Sequence, residues 1–497
     1  MSFVSIEFVI FIAITILAYY LIGKFLPDFQ WVILLISSYI FYGFITPKYV
    51  IFLLFSTFIT WLFPLLMCRD PQRKKLYLIL CIVCNIGLLV ILKYANFVLG
   101  IFNVSKIDWF ILPLGISFYT FQSTGYCIDV YREIVPAENN FFKHALYVSF
   151  FPQICQGPIG KYEDLSPQLF AAHSFNYQNF TDGFTRILVG YFKKIFVATT
   201  ISSFVDVVYA SPNTYSGAIL AFATVLYGFQ LYADFSGYMD ISLGTACCLG
   251  ITMKENFFAP YFSRSIAEFW RRWHISLGDW FRDYLYYPVL RSNALTKLSK
   301  KLRKSGHKKA AKNLTTAIGL LVTWFLIGLW HGADTKYILY GLFHGAFVIL
   351  AALLGETYAK LRNNCRINES SLLWKAFQIC RTFIIVSFAY VLFRADSLQS
   401  AAAIYNRIFT QFYYSGWTGD ILGRFDIEYA VLVIIGILMI LLIDIIDLHG
   451  GFVKKVSRLK TAPKWIVLYC FMLGLIYIFL FTDTPVSDAS NFIYFNF

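Results

Sequence analysis

Seven histidines serve a chain of 497 residues, and two of them sit in copies of one six-residue phrase. Gly328-Leu329-Trp330-His331-Gly332-Ala333 is followed thirteen residues later by Gly341-Leu342-Phe343-His344-Gly345-Ala346. Both copies lie in apolar runs long enough to cross a bilayer. An ionisable group at that depth is costly and by default marks a functional site facing a cavity. The chemistry an imidazole offers there is base catalysis: it takes a proton from a hydroxyl or thiol as that group attacks an acyl carbonyl. Glycines four apart bracket each histidine, which permits close helix approach. The competing reading is a packed imidazole hydrogen-bonded to a backbone carbonyl.

A third candidate, His274, stands in Phe269–Tyr286, where aromatic and charged residues alternate at helical spacing. His144, His173, His307 and His449 read as loop or interface residues. No serine nucleophile competes well, because Gly115-Ile116-Ser117-Phe118-Tyr119 lacks the closing glycine of a nucleophile elbow. Direct acyl transfer assisted by a base is therefore favoured over a serine acyl-enzyme. A Walker A loop, a dinucleotide fingerprint and a His-Glu-x-x-His pair are all missing, so no bound cofactor or metal is expected.

The elements that must hold these residues are membrane helices. Hydrophobic residues make up 58% of the chain and charged residues 14%, against a soluble norm of roughly 25% charged. Apolar runs predict spans at about 5–23, 30–46, 49–67, 76–97, 110–128, 183–205, 215–235, 313–331, 335–355, 376–395, 429–448 and 465–483. The fold class is thus all-α and polytopic, with 11–12 transmembrane helices. The chain reads as one integral-membrane domain over 1–497. It has N-terminal helices in 1–105, a core in 106–355 with a cytoplasmic loop at 256–312, and C-terminal helices in 356–497. The run at 5–23 lacks a basic leader and a small-residue cleavage site and reads as a retained helix.

The net charge of +14 is clustered, with nine Lys/Arg and no acid between Arg291 and Lys312. Smaller groups lie at Arg69–Lys75 and Lys454–Lys464. Because these runs abut spans, the positive-inside rule explains them better than nucleic acid does, with anionic membrane lipids as neighbours. This places all three clusters in the cytoplasm. Ten cysteines form no extracellular framework, and Cys81 and Cys84 read as buried apolar residues.

Three stretches fit no simple span. Phe142–Ile159 is short and rich in Pro and Gly near its end, so it reads as re-entrant and packed in protein. Gln230–Gly250 carries Gln230, Asp234, Ser236 and Asp240 in an apolar setting, implying a polar-lined cavity or a broken helix. In 256–290, Trp270, Trp273, Leu277 and Trp280 share one helical face, predicting an amphipathic helix at the cytoplasmic interface.

A specific resemblance joins these pieces. Glu268-Phe269-Trp270-Arg271-Arg272-Trp273-His274-Ile275-Ser276-Leu277, with Leu329-Trp330-His331-Gly332-Ala333 further on, resembles the membrane-bound O-acyltransferase family. Leu112–Gln122, Tyr232–Tyr238, and Phe150-Phe151-Pro152-Gln153 with Gly157-Pro158 are similar to that family's bacterial branch. Leu392–Leu398 and the two spans after it resemble its alginate O-acetyltransferase type, although nothing in the chain identifies alginate. The resemblance covers most of residues 30–400. It implies tilted helices around a thin centre, with a tunnel admitting the donor from the cytoplasm. It also implies that His331 is catalytic and that His274 lines or supports the tunnel near the donor entrance. His344, Trp330, Trp273, Arg271, Asp234 and Gln153 would bind substrate or support it.

The expected activity is transfer of an acyl group, acetyl first, to an exported or cell-surface polysaccharide. Acetyl-CoA or another acyl thioester would be the donor. An extracytoplasmic partner of the SGNH esterase type would complete transfer, and an acyl carrier protein is a further candidate partner. The rival readings are D-alanyl transfer from a carrier protein to teichoic acid, and a transporter or flippase.

Overall fold

The computed structural model describes residues 3–102, 107, 112–413 and 427–481. Among these residues no strand forms, and ten helices are long and apolar enough to cross a membrane. Lipid offers no partner for backbone N–H and C=O groups, so a chain this apolar satisfies them within helices.

The first four helices show how sequence sets the joints. They are α1 (Ile6–Phe25), α2 (Gln30–Ile45), α3 (Val50–Arg69) and α4 (Lys74–Ile101). Pro27, Pro47 and Pro71 each open a single 3₁₀ turn between successive helices. Proline disfavours helical backbone in the residue before it, so Leu26, Thr46 and Asp70 leave the helix at φ −136°, −142° and −130°. Its own fixed φ then suits the first position of the next turn.

After them come α5 (Ile116–Tyr131), α6 (Phe141–Ser149), α7 (Tyr162–Phe170), α8 (Tyr177–Tyr191), α9 (Thr199–Ala210) and α10 (Gly217–Cys248). A π-helical stretch, Phe192–Ala198, joins α8 to α9. Then follow α11 (Ile266–Arg272), α12 (Ile275–Phe281), α13 (Tyr287–Leu290), α14 (Asn293–Lys304), α15 (Lys308–His331), α16 (Thr335–Asn364) and α17 (Leu372–Arg394). The last are α18 (Leu398–Thr410), α19 (Ile427–Leu448), α20 (Phe452–Ser457) and α21 (Thr461–Phe481).

One predicted span is corrected. The stretch expected at 110–128 yields α5, whose 16 residues are about 24 Å long, short of a hydrocarbon core about 30 Å thick. It is buried along almost its whole surface, so its apolar residues face protein. Residues 108–111, where that span was expected to begin, lie outside the described residues.

The chain divides into two compact units. The first unit comprises 1–196, 233–255 and 449–496. Its polar residues are buried in pairs. Asn85 on α4 donates to Thr124 Oγ1 at 2.9 Å and Ser123 Oγ at 3.1 Å on α5, while Ser56 on α3 donates to Asn85 Oδ1 at 2.7 Å. The stretch read as re-entrant forms α6 and a run of turns, buried from His144 through Ile159. Gln153 there donates to Gln122 Oε1 at 2.8 Å, and Gln122 donates in turn to the Tyr147 carbonyl.

The region suspected of being a broken helix is continuous in α10. Its carboxylates are neutralised instead: Asp234 pairs with Lys194, and Asp240 with Lys193 and Arg186. A buried charge persists only when paired and hydrogen-bonded.

The second unit comprises 197–232 and 256–448 and contains all three candidate histidines. Its frame is the antiparallel hairpin of α15 and α16, closed by Asp334, whose carboxylate caps α16 by accepting from the Lys336 N–H at 3.0 Å. The repeated phrase is explained by this hairpin. A Cβ added at Gly328 would stand 2.5 Å from the Tyr337 carbonyl oxygen, and one at Gly341 only 2.7 Å from the Gly328 Cα. The first glycine of each copy therefore faces the other across the two helices, which touch backbone to backbone.

Candidate active site

His331 ends α15, and Tyr340 and His344 stand one turn apart on α16. The close glycine contact brings the two helices together here. The His331 ring meets Tyr340 edge-on at 5.6 Å and Phe393 of α17 at 5.3 Å between centroids. Tyr340 also meets His344 at 4.7 Å, so one tyrosine touches both imidazoles of the repeat. His344 is walled further by Trp270 of α11 at 5.2 Å and Trp324 of α15 at 6.2 Å. All three histidines are at most 2% exposed.

His274 is positioned by a break in the helix predicted for 256–290. Ser265 caps α11 by accepting from the Glu268 N–H at 3.1 Å. After seven residues the helix stops because a neighbouring segment captures its continuation. Phe258 N–H donates to the Arg272 carbonyl, Ile275 N–H donates to the Asn256 carbonyl (both 3.0 Å), and Phe257 forms an isolated bridge with Trp273. Between these bonds His274 adopts φ 48° and ψ 52°, left-handed backbone that for a non-glycine residue costs about 1–3 kcal/mol. Such strain persists only where the surroundings over-determine it. The Asn256 side chain supplies that: its Oδ1 accepts from Ser276 N–H at 2.9 Å and Ser276 Oγ at 3.0 Å, and lies 3.4 Å from His274 Nδ1. The His274 ring lies 5.7 Å from Trp330, which itself lies 4.9 Å from His331. Burial pushes the His274 imidazole down to about 3 from its ordinary 6.5, so it is neutral at physiological pH.

One expectation for this segment is thereby corrected. It is not one amphipathic helix but two short ones, since the chain bends at His274 and buries it. His274 stands by the end of α15 that carries His331, whereas Lys308 lies a whole helix away, about 35 Å at 1.5 Å per residue.

The other expected site residues divide. Trp330 touches both His274 and His331. Trp273 instead stacks into an aromatic core with Phe269 at 5.4 Å, Phe257 at 5.0 Å and Tyr232 at 6.0 Å. Arg271 is exposed on α11, while Arg272 beside it is tied to Glu268 at 2.7 Å. Asp234 and Gln153 belong to the first unit, in the ion pair and amide pair already described. Sequence reasoning missed Asn256, Trp324, Tyr340 and Phe393. Tyr340 was open to discovery, since a residue one turn from a suspect histidine shares its face. Asn256 gave no such signal.

Geometrically, the second unit holds three neutral-capable bases within aromatic walls, with no cluster of His, Cys, Asp or Glu fit to hold a metal among the described residues. Comparison with known proteins gives this arrangement a context. The model of the membrane-bound O-acyltransferase family matches residues 136–393, which include all three histidines. The chain is 33% identical over 452 residues to a probable alginate O-acetylase of Pseudomonas aeruginosa, covering 86% of this chain and 80% of that protein. It is 30% identical to a peptidoglycan O-acetyltransferase of Helicobacter pylori, covering 79% and 77%. A teichoic acid D-alanyltransferase of Bacillus subtilis is 29% identical over 47% of this chain and 58% of its own length. From the family match, the membrane helices and these likenesses together, the chain belongs to the membrane-bound O-acyltransferase family and is a multi-pass protein of a bacterial membrane.

Proposed function

We propose that this enzyme takes an acetyl group from acetyl-CoA on the cytoplasmic side and passes it across the membrane for O-acetylation of an exported or cell-surface polysaccharide. The observation that carries this reading is the meeting of His331, Trp330 and His274 at one end of the α15–α16 hairpin. His331 acts as general base. It removes the proton of the attacking hydroxyl as the oxygen bonds to the thioester carbonyl carbon. The tetrahedral intermediate then collapses, the C–S bond breaks, and the imidazolium returns its proton to the departing thiolate. Aromatic walls exclude water that would otherwise hydrolyse the thioester. The acetyl-transferring relatives match over most of the chain and the D-alanyl-transferring one over less than half, which favours acetyl over D-alanyl. An extracytoplasmic esterase-type partner would complete delivery to the polymer, and a carrier protein in place of CoA is the alternative donor.

The test is purified enzyme in lipid nanodiscs with acetyl-labelled CoA, with and without candidate carrier proteins. Consumption of the thioester is expected, and its absence with every donor would favour a transporter. His331→Ala should fold, bind donor and lose about 10²–10⁴-fold in rate, the usual worth of a general base. His344→Ala should keep partial activity. The reverse pattern would move the base to His344.

A further inference from the structure

We infer that Asn256 is a positioning residue that fixes the tautomer of His274, placing its proton on Nδ1 and its lone pair on Nε2. The inference deepens the reading of His274 within the proposed transfer and rests on it.

It starts from a donor whose chemistry is not adjustable. The backbone N–H of Ser276 can only donate, and it lies 2.9 Å from one terminal atom of the Asn256 amide. That atom is therefore the oxygen, since the amide nitrogen would present hydrogens to a hydrogen. The Ser276 hydroxyl, 3.0 Å from the same atom, turns its proton toward it as well. An oxygen so placed can only accept. His274 Nδ1 is the third group on it, at 3.4 Å, and the contact is attractive only if Nδ1 carries a hydrogen. In a neutral imidazole the other nitrogen then holds the lone pair.

The surroundings leave the ring little freedom to undo this. His274 is 1% exposed, its backbone is held left-handed between the Asn256 carbonyl and the Phe258 N–H segment, and Trp330 stands against the ring. The consequence for the reaction is a sorting of roles. Through Nε2, His274 accepts a hydrogen bond from a hydroxyl, a thiol or a water molecule. It does not offer an N–H to the thioester carbonyl, so it does not serve as an oxyanion donor. Stabilising that oxygen falls to other groups.

The experiment uses the full-length enzyme in nanodiscs, labelled with ¹⁵N-histidine, and His274→Gln to assign the signal. Nitrogen shifts distinguish a protonated from an unprotonated ring nitrogen without substrate. Wild type should show Nδ1 protonated and Nε2 bare. Asn256→Ala should mix the tautomers and lower kcat with acetyl-CoA by about 10²–10⁴-fold, as for loss of a base, with KM little changed. Asn256→Asp keeps the accepting oxygen, so Nδ1 stays protonated and activity is largely rescued. Its carboxylate favours the imidazolium, so the acid limb of the pH–rate profile moves to higher pH.

A protonated Nε2 in wild type overturns the inference. So does an Asn256→Ala enzyme that is merely less heat-stable, with tautomer and kcat unchanged. If the tautomer is as stated but His274→Ala transfers acetyl at the wild-type rate, the proton-accepting role is overturned and the bond is structural alone. His331→Ala, measured alongside, reports separately on whether the transfer reading itself holds.

Discussion

At the scale of single residues, burial of imidazole has a consequence that needs no substrate. Burial pushes both His144 and His274 down to about 3 from an ordinary 6.5. Between those values the unfolded chain binds protons at these positions and the folded chain does not, so stability rises with pH. Acidifying from pH 7 toward 5 should therefore lower the melting temperature in detergent. Each group contributes a slope of at most roughly 1.4 kcal/mol per pH unit once the pH is below the unfolded value. His144→Gln should flatten part of that slope. A melting temperature independent of pH over this window would show that neither imidazole is held neutral. Of the residues concerned, His331, His344 and Trp330 were legible in the sequence, because an imidazole in an apolar run stands out. Asn256 was not. It lies eighteen residues before His274 and is brought to it by the isolated bridge between Phe257 and Trp273, a bridge that leaves no periodicity to read.

At the scale of elements, the hairpin of α15 and α16 depends on the absence of two methyl groups. Gly341→Ala would set a Cβ 2.4 Å from the Trp324 carbonyl oxygen, and Gly328→Ala one 2.5 Å from that of Tyr337. Backbone atoms cannot swing aside as side chains do, so the helices must part. Each substitution should destabilise by about 1–3 kcal/mol, as overpacking does, and should shift His331 from Tyr340. Thermal melting and acetyl transfer on the same preparation check this, and an alanine variant as stable and active as wild type would refute it. Bracketing glycines gave this helix contact away in the sequence. The bend at Trp273–His274 was hidden by the helical spacing of Trp270, Trp273, Leu277 and Trp280, a pattern that here spans two short helices whose tryptophans pack on different partners, Trp270 on Trp324, Trp273 on Phe269 and Trp280 on Tyr284. Similarly, α5 reads as a span by composition, but its buried surface shows that apolar residues can serve protein contact as well as lipid.

At the scale of the whole molecule, the proposed orientation puts the basic run after Arg291 in the cytoplasm, as the positive-inside rule predicts. Ser305 is exposed at the end of α14, so a Ser305→Cys variant in a background without reactive thiols should resist impermeant maleimide added to intact cells. Labelling from outside would invert the proposed topology. The number of spans was nearly legible, since hydropathy measures the solvent each helix tolerates. The division into two units was not, because each gathers segments distant in sequence. The ion pairs of the first unit carry this into biosynthesis. Lys194, Lys193 and Arg186 leave the ribosome 40, 47 and 54 residues before Asp234 and Asp240, the acids they pair with in α10. A central Lys or Arg disfavours insertion by roughly 2.5–3.5 kcal/mol, so three together should keep this helix from partitioning into lipid by itself. It should wait at the translocon until α10 emerges. A cysteine placed at Ile195 should then stay open to maleimide in chains released at residue 215 and become protected in chains extended past Glu255.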